Sequence, residues 1–145
     1  MEFLSFRLGN EEYAIDILRV REIRAQEKAT QMPNAPGFVK GVINLRGTIV
    51  PIIDLRVRFG FDAGDDASTV TIILSIAGRE IGIVVDAVSD VLALAAGQIR
   101  PAPEIRSVLA DGFIRGIAPI EGRMLIVLDI ERLMTSHDMA FVEAA

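Results

Sequence analysis

Few residues of this 145-residue chain have the type and spacing that catalysis or metal binding needs. Asp86 and Asp90 lie four positions apart and, facing each other, would suit a metal ion or an acid–base pair. Asp86 ends an aliphatic segment, however, as do Asp54 and Asp129, which is typical of carboxylates that accept hydrogen bonds from turn amides. We therefore predict that these aspartates close turns and that the chain has no metal site.

Other catalytic groups are equally scarce in the sequence. The single histidine, His137, lies in a polar segment, and the absence of cysteine excludes thiolate metal sites and a cysteine nucleophile. No glycine-rich phosphate-binding motif occurs. The acidic segment 62–66 lacks the alternating oxygen ligands and the terminal Glu of a calcium loop, so we predict a solvated loop there. The sequence therefore predicts a protein without catalytic residues or a cofactor, one that acts by binding.

Composition narrows the partners that such a protein would bind. A net charge of −5 and the lack of a basic stripe argue against nucleic acid. The apolar runs are strand-sized, far below the roughly 20 residues that cross a bilayer, and no basic leader precedes them, so we expect a cytoplasmic protein without membrane insertion. The hydrophobic content of 51% indicates an unusually apolar core or apolar surface kept for partners.

The most informative segment is 40–55, where two apolar strands hinged by glycine hold the polar residues Asn44 and Arg46. An apolar residue and a glycine flank Arg46 and direct its guanidinium outward, where the planar donor fork suits a carboxylate or a backbone carbonyl. The alternative is an internal ion pair with Asp54 or Glu22, which would order the strand ends. Both interpretations are compatible with the sequence.

The segment 17–23 allows a helical turn or a strand. Asp16 is placed to cap a turn, and Val20 and Ile23 then alternate with charged residues as in a strand. We predict a turn followed by a strand. The default position for Val20 and Ile23 is the core, with the charged residues on the solvent face.

An internal repeat sets the architecture. Residues 37–42 (GFVKGV) recur as 112–117 (GFIRGI), an offset of 75, and the same offset relates 47–55 to 122–130. Each copy opens with a hairpin pattern and closes with a second pair of short strands. Strands dominate throughout, which favours an all-β fold of two small antiparallel barrels.

We expect the acidic loop to separate the copies, so that residues 1–65 form the first barrel and residues 66–145 form the second barrel with the C-terminal helix. Helical spacing in 130–142, with Asp129 or Ser136 as the cap, predicts a short C-terminal helix that packs across a barrel.

These motifs resemble the CheW-like domain family of bacterial chemotaxis. The signature is Asn-Leu-Arg-Gly at 44–47 followed by Pro-Ile-Ile-Asp-Leu at 51–55. The resemblance implies two five-stranded SH3-like barrels packed side by side, with strands that can be exchanged at the seam. Further segments that match the family are 3–9, 12–17, 82–86, 98–103 and 123–127.

The resemblance also implies a function, that of a noncatalytic adaptor coupling chemoreceptors (methyl-accepting chemotaxis proteins) to the histidine kinase CheA. The tip of the receptor's cytoplasmic hairpin would enter a groove between the barrels. Gly41 would let the partner's backbone approach closely, although a strand-to-turn requirement explains that glycine equally well. The expected receptor-binding residues are Val20, Glu22, Gly41, Asn44 and Arg46.

A second surface is implied for the regulatory domain of CheA, itself a pair of CheW-like barrels, with barrel end meeting barrel end. The expected kinase-binding residues are Arg100, Ile105 and Val70, where Ile105 stands at a position that is often aromatic in the family. The segment 101–103 alone would be a surface loop. The resemblance further allows weak self-association, and it places the protein in the cytoplasm at membrane-associated receptor arrays.

Two other functions are compatible with the sequence. A CheW-like adaptor of a different two-component or motility pathway would share this fold with a retargeted receptor surface, and only its partners would distinguish it. An enzyme or small-molecule sensor built on twin barrels would require a deep pocket with a perturbed ionisable group.

Overall fold

A computed structural model describes residues 1–62, 67–101 and 112–136. Over these ranges the strands form two five-stranded sheets, and the helices are short, which confirms the prediction of an all-β chain with two five-stranded units. In this part of the chain no helix has the length and apolar character needed to cross a membrane. The elements are β1 Glu2–Leu8, β2 Glu11–Asp16, β3 Val20–Ala25, β4 Val39–Leu45, β5 Thr48–Asp54, α1 Leu55–Arg58, β6 Val70–Ile76, β7 Arg79–Val85, β8 Ala87–Ala93, β9 Ile114–Ile120, β10 Arg123–Leu128 and α2 Ile130–Met134.

The two sheets are built alike. Sheet 1 has the strand order β8-β1-β2-β10-β9, and sheet 2 has the order β3-β6-β7-β5-β4. Each sheet is centred on an antiparallel hairpin, β1–β2 or β6–β7, which is extended by a parallel pair, β2–β10 or β7–β5. The sequence predicted antiparallel barrels, and this was wrong for one pair of strands in each sheet, which is parallel.

Each sheet takes strands from both copies of the repeat. The hairpin β1–β2 of the first copy joins β8, β9 and β10 of the second, while β3, β4 and β5 join β6 and β7. This is the exchange of strands that the family resemblance implies. The units 1–65 and 66–145 therefore describe the two copies of the sequence repeat and not the two sheets.

The central hairpins are buried on both faces. One face packs in a core that the two sheets share, and the other packs in a small cluster within its own sheet. Alternation along β1 sends Leu4 and Phe6 into a large core shared by both sheets, whereas Phe3 enters a small cluster inside sheet 1. In β6, Ile72 belongs to the shared core, and Ile73 belongs to a small cluster inside sheet 2. The shared core holds the sheets together.

Equivalent aspartates start the two short helices. The side chain of Asp54 accepts a hydrogen bond from the backbone N–H of Arg56 at 3.0 Å, and that of Asp129 accepts one from Arg132 at 3.1 Å. Asp129 is therefore the cap of α2, one of the two caps that the sequence allowed. Buried α2 residues, among them Leu133, pack in the shared core. The predicted continuation of this helix to 142 falls in 137–145, outside the described residues.

Candidate binding site

Arg46 occupies the turn of the β4–β5 hairpin together with Gly47. Their φ angles are 51° and 86°, so both lie in the left-handed region, as in a type I′ turn. The side-chain oxygen of Asn44 accepts a hydrogen bond from the Gly47 N–H at 2.8 Å and braces the turn. The turn thus holds Arg46 at the end of the hairpin with 63% of its side chain exposed.

Glu22 is the internal partner of Arg46. Nη2 of Arg46 donates to Oε1 of Glu22 at 2.8 Å. The two residues belong to opposite edges of sheet 2, so this ion pair joins the β4–β5 hairpin to β3. The guanidinium of Arg46, helped by that of Arg24, lowers the pKa of the Glu22 carboxyl. Of the two internal partners expected from the sequence, the structure selects Glu22, because Asp54 pairs with Arg56.

Val20 and Ile23 take different positions on β3. Val20 pairs with Leu74 of β6 and packs, half-buried, against the shared core. Ile23 pairs with Ile72, yet it is 48% exposed, so a core position for Ile23 was wrong. The pairing register shifts between Val20 and Glu22, and this irregularity ends the simple alternation expected of the strand. An exposed apolar side chain therefore directly follows Glu22.

Gly41 is buried against the chain's own backbone. A Cβ atom at this position would lie 2.0 Å from the carbonyl oxygen of Thr30, and Gly41 has a φ of 141°. Thr30 and Val42 exchange two backbone hydrogen bonds of 2.9 Å, which fixes the close approach. The backbone that Gly41 admits is thus that of Thr30, which pairs with Val42 beside β4.

The expected kinase-binding residues do not share one sheet. Arg100 is exposed, and its backbone exchanges hydrogen bonds of 2.9 and 2.8 Å with Ile117 of β9, an edge strand of sheet 1. Val70 begins β6 of sheet 2 and packs, half-buried, against the shared core. Ile105 lies outside the described residues, as does His137.

The aspartates that suggested chemistry are held by separate partners. Asp86 accepts a hydrogen bond from the Gly9 N–H at 2.7 Å and lies 3.5 Å from Nη1 of Arg56. Asp90 pairs instead with Arg123 at 3.0 Å. The prediction that Asp86 closes a turn is confirmed. Among the described residues no group of three His, Cys, Asp or Glu side chains is placed to hold a metal ion.

The ion network around Arg123 was missed in the sequence. Its guanidinium bonds Glu12 through Nε at 3.0 Å and Asp90 through Nη2 at 3.0 Å, and these bonds raise its pKa. The guanidinium in turn lowers the pKa of Asp90, with a smaller contribution from Ser5. The sequence did contain a signal for the acid that pairs with Arg123. Asp90 follows Glu22 by 68 residues, and β6 follows β1 by the same interval. Each copy of the repeat therefore carries an acid at the same place on an edge strand.

The fold and this site define a class of protein: a two-sheet β-protein with exchanged strands that presents an exposed cation on a braced hairpin turn. A model of the family described as "CheW-like domain" matches residues 2–138. The chain belongs to the CheW-like domain family, and the resemblance inferred from its motifs is confirmed.

Individual relatives match almost the whole chain. The chemotaxis protein CheW of Klebsiella aerogenes is 55% identical over 143 residues, covering 98% of this chain and 86% of that protein. The chemotaxis protein CheW of Rhizobium meliloti is 41% identical over 138 residues, covering 94% and 89%. The crystal structure of the scaffolding protein TtCheW from Thermoanaerobacter tengcongensis superposes with a TM-score of 0.83 at 34% identity, covering 94% of this chain and 89% of that one.

Proposed function

We propose that this protein is a noncatalytic adaptor that couples chemoreceptors to the histidine kinase CheA in bacterial chemotaxis. Membership of the CheW-like family supports the proposal, as do relatives named for chemotaxis and a similar structure described as a scaffolding protein. The observation that carries it is Arg46, a 63% exposed arginine held on a braced turn within the family's motif. Such a group is built to be reached by a partner.

The receptor surface is centred on Arg46 and Glu22. The guanidinium fork suits a carboxylate or a free carbonyl at the tip of a receptor's helical hairpin. Because the turn already fixes the backbone of Arg46, binding would order little more than its side chain. Gly41 supports this surface by admitting the backbone of Thr30 beside β4. The receptor surface comprises Val20, Glu22, Gly41, Asn44 and Arg46.

The kinase surface comprises Arg100, Ile105 and Val70 and would meet the regulatory domain of CheA. Arg100 extends the β9 edge of sheet 1, a suitable place for contact between barrel ends. Contacts of this kind bury on the order of 1,200 Å² and bind at about micromolar strength. Assembly at receptor arrays in the cytoplasm, including weak self-association, would then depend on many such contacts acting together.

The proposal is tested by titrating isotope-labelled protein separately with a receptor hairpin and with the CheA regulatory domain, while backbone amide shifts are followed. The hairpin should shift the amides of Val20, Glu22 and Arg46, whereas the regulatory domain should shift those around Arg100. Two distinct sets of shifted amides are the expected result.

Arg46→Ala measures the contribution of the guanidinium. Glu121→Ala is the matched control, because Glu121 is exposed and occupies the equivalent turn with a φ of 47°, against 51° for Arg46. We expect Arg46→Ala to weaken hairpin binding about tenfold and Glu121→Ala to change it less than about twofold. Equal losses in both variants would contradict a receptor surface at Arg46.

The absence of any shift with either partner at high micromolar concentration would overturn the chemotaxis assignment. A pull-down from the source cells would then identify the partners of an adaptor that serves a different two-component or motility pathway.

A further inference from the structure

Arg58, in α1, lies between two phenylalanine rings. Its guanidinium carbon is 5.8 Å from the centroid of the Phe38 ring and 5.8 Å from that of Phe113. Both distances fall within the usual cation–π range of about 6 Å. Arg58 is only 8% exposed, so water weakens its attraction to the rings far less than it would at the surface. One buried cation therefore contacts two aromatic side chains.

The two rings occupy equivalent points of the two sheets. Phe38 precedes β4 of sheet 2, and Phe113 precedes β9 of sheet 1, with the repeat offset of 75 residues between them. The carbonyl of Phe38 accepts from the Asp54 N–H at 2.7 Å, and that of Phe113 accepts from the Asp129 N–H, also at 2.7 Å. The backbone that carries each ring is thus held in the same way within its own sheet, and Arg58 contacts both rings.

The arrangement is asymmetric in one respect, because the position of α2 that is equivalent to Arg58 carries no cation. The position in α2 that corresponds to Arg58 is Leu133, which is fully buried in the shared core. An apolar side chain therefore packs well at this place in the repeat. Burying a charge costs free energy that burying a leucine would not, and the contacts of Arg58 with the two rings offset part of that cost.

The positions of these residues connect the two proposed binding surfaces. α1 directly follows β5, and the opposite end of β5 adjoins the turn that carries Arg46. Phe113 lies between segment 102–111, which contains Ile105, and β9, with which Arg100 pairs. A movement of sheet 2 relative to sheet 1 would have to change the contacts of Arg58 with one ring or the other.

We propose that Arg58 is a positioning residue that sets the placement of the two sheets through Phe38 and Phe113. Through that placement it couples the receptor surface to the kinase surface, a second step that rests on the proposed function. Binding of a receptor hairpin thereby changes the affinity for the regulatory domain of the kinase.

The first experiment tests the bridge itself and requires no partner. The substitutions Phe38→Leu and Phe113→Leu are made singly and together, in the native protein and in Arg58→Leu, and urea unfolding is measured. Arg58→Leu should fold, since the repeat places a leucine at the equivalent position. With Arg58 present, the effects of the two phenylalanine substitutions on the unfolding constant should depart from additivity by about threefold or more. In the Arg58→Leu background, the same two effects should be additive.

The second experiment measures the coupling between binding surfaces. The affinity for the CheA regulatory domain is determined by calorimetry with and without saturating receptor hairpin, and the ratio of the two affinities is the coupling factor. We expect a factor of about five or more in the native protein and near one in Arg58→Leu, with each partner's separate affinity changed less than about twofold. Arg58→Lys, which keeps the charge without the planar fork, should retain part of the coupling. Arg7→Leu, at an exposed position on β1, is the control and should retain all of it.

The outcomes separate the two parts of the inference. Additive phenylalanine effects with Arg58 present would overturn the bridge. A native coupling factor of one, or one that Arg58→Leu leaves unchanged, would overturn the coupling role. Failure of the proposed function would appear instead as an absence of binding to either partner by the native protein, and the unfolding cycle would still decide the bridge.

Discussion

The β4–β5 and β9–β10 hairpins are copies of one unit, yet they place their arginines differently. In β4–β5 the arginine is Arg46, in the turn, whereas the equivalent turn residue of β9–β10 is Glu121. The arginine of the second hairpin is Arg123, which begins β10. Both arginines reach an acid at the same place on an edge strand, Glu22 on β3 and Asp90 on β8.

The different positions of the two arginines change their exposure and the number of carboxylates that hold them. Arg123 is 30% exposed and is held by two carboxylates, those of Glu12 and Asp90. Arg46 is 63% exposed, and Glu22 holds it through a single nitrogen. Exposed single ion pairs add little stability, whereas networks in fixed geometry add more. The comparison indicates that Arg123 closes sheet 1, while Arg46 is left available for a partner.

The largest effect is expected at the glycines where another segment pairs closely with each hairpin. Gly41→Ala should lower the free energy of unfolding by about 4 kcal/mol and Gly116→Ala by about 2 kcal/mol. An added Cβ would lie 2.0 Å from the Thr30 carbonyl oxygen in the first case and 2.3 Å from the Arg100 carbonyl oxygen in the second, and only Gly41 also has a positive φ. Urea denaturation measures both. Gly97→Ala is the control, because an added Cβ there meets nothing within 4 Å. Similar losses at all three glycines would contradict the role given to the close backbone contacts.

Smaller and unequal effects on stability are expected from substitution of the two arginines. Arg123→Ala should destabilise the fold by about 2 kcal/mol, because it leaves the Glu12 and Asp90 carboxylates without their cation. Arg46→Ala should change stability by less than about 0.5 kcal/mol, since it removes only one exposed ion pair. Thermal and urea unfolding of both variants provide the measurement. If Arg46→Ala were as destabilising as Arg123→Ala, the distinction between a closing and an available arginine would be lost.

The smallest effect concerns the paired acids. Arg46 lowers the pKa of Glu22 below its ordinary value of 4.5, and Arg123, followed by Ser5, lowers that of Asp90 below 3.8. Because both pKa values are depressed on folding, the stabilisation is present above the ordinary pKa and is lost as the pH falls through the folded one. Carboxyl NMR titration should show the pKa of Glu22 rising in Arg46→Ala and that of Asp90 rising in Arg123→Ala. A substitution that raised both pKa values would show that the two ion pairs are not independent.

Features that depend on near neighbours in the chain were predictable. The offset of 75 between copies appears in the structure as matching strands and as matching helix caps at Asp54 and Asp129. The turn over 17–19, capped by Asp16 and followed by β3, was also predicted correctly. The exposure of Arg46 and its pairing with Glu22 were both among the alternatives that the sequence allowed. Caps and turns depend on hydrogen bonds and φ angles within a few residues, so residue types at short spacing are enough to specify them.

The sequence by itself thus determined the repeat, the hairpins and the outward arginine, whereas the tertiary structure decided which hairpin entered which sheet. The two central hairpins, β1–β2 and β6–β7, both have apolar residues on two buried faces. Their apolar patterns are therefore alike, and the pattern does not specify which hairpin joins which sheet. The parallel pairs β2–β10 and β7–β5, the close contact of Gly41 with Thr30 and the network of Arg123 all join segments that are not neighbours in the chain. Such contacts form only when burial of the shared core selects one arrangement, and no local signal specifies that choice.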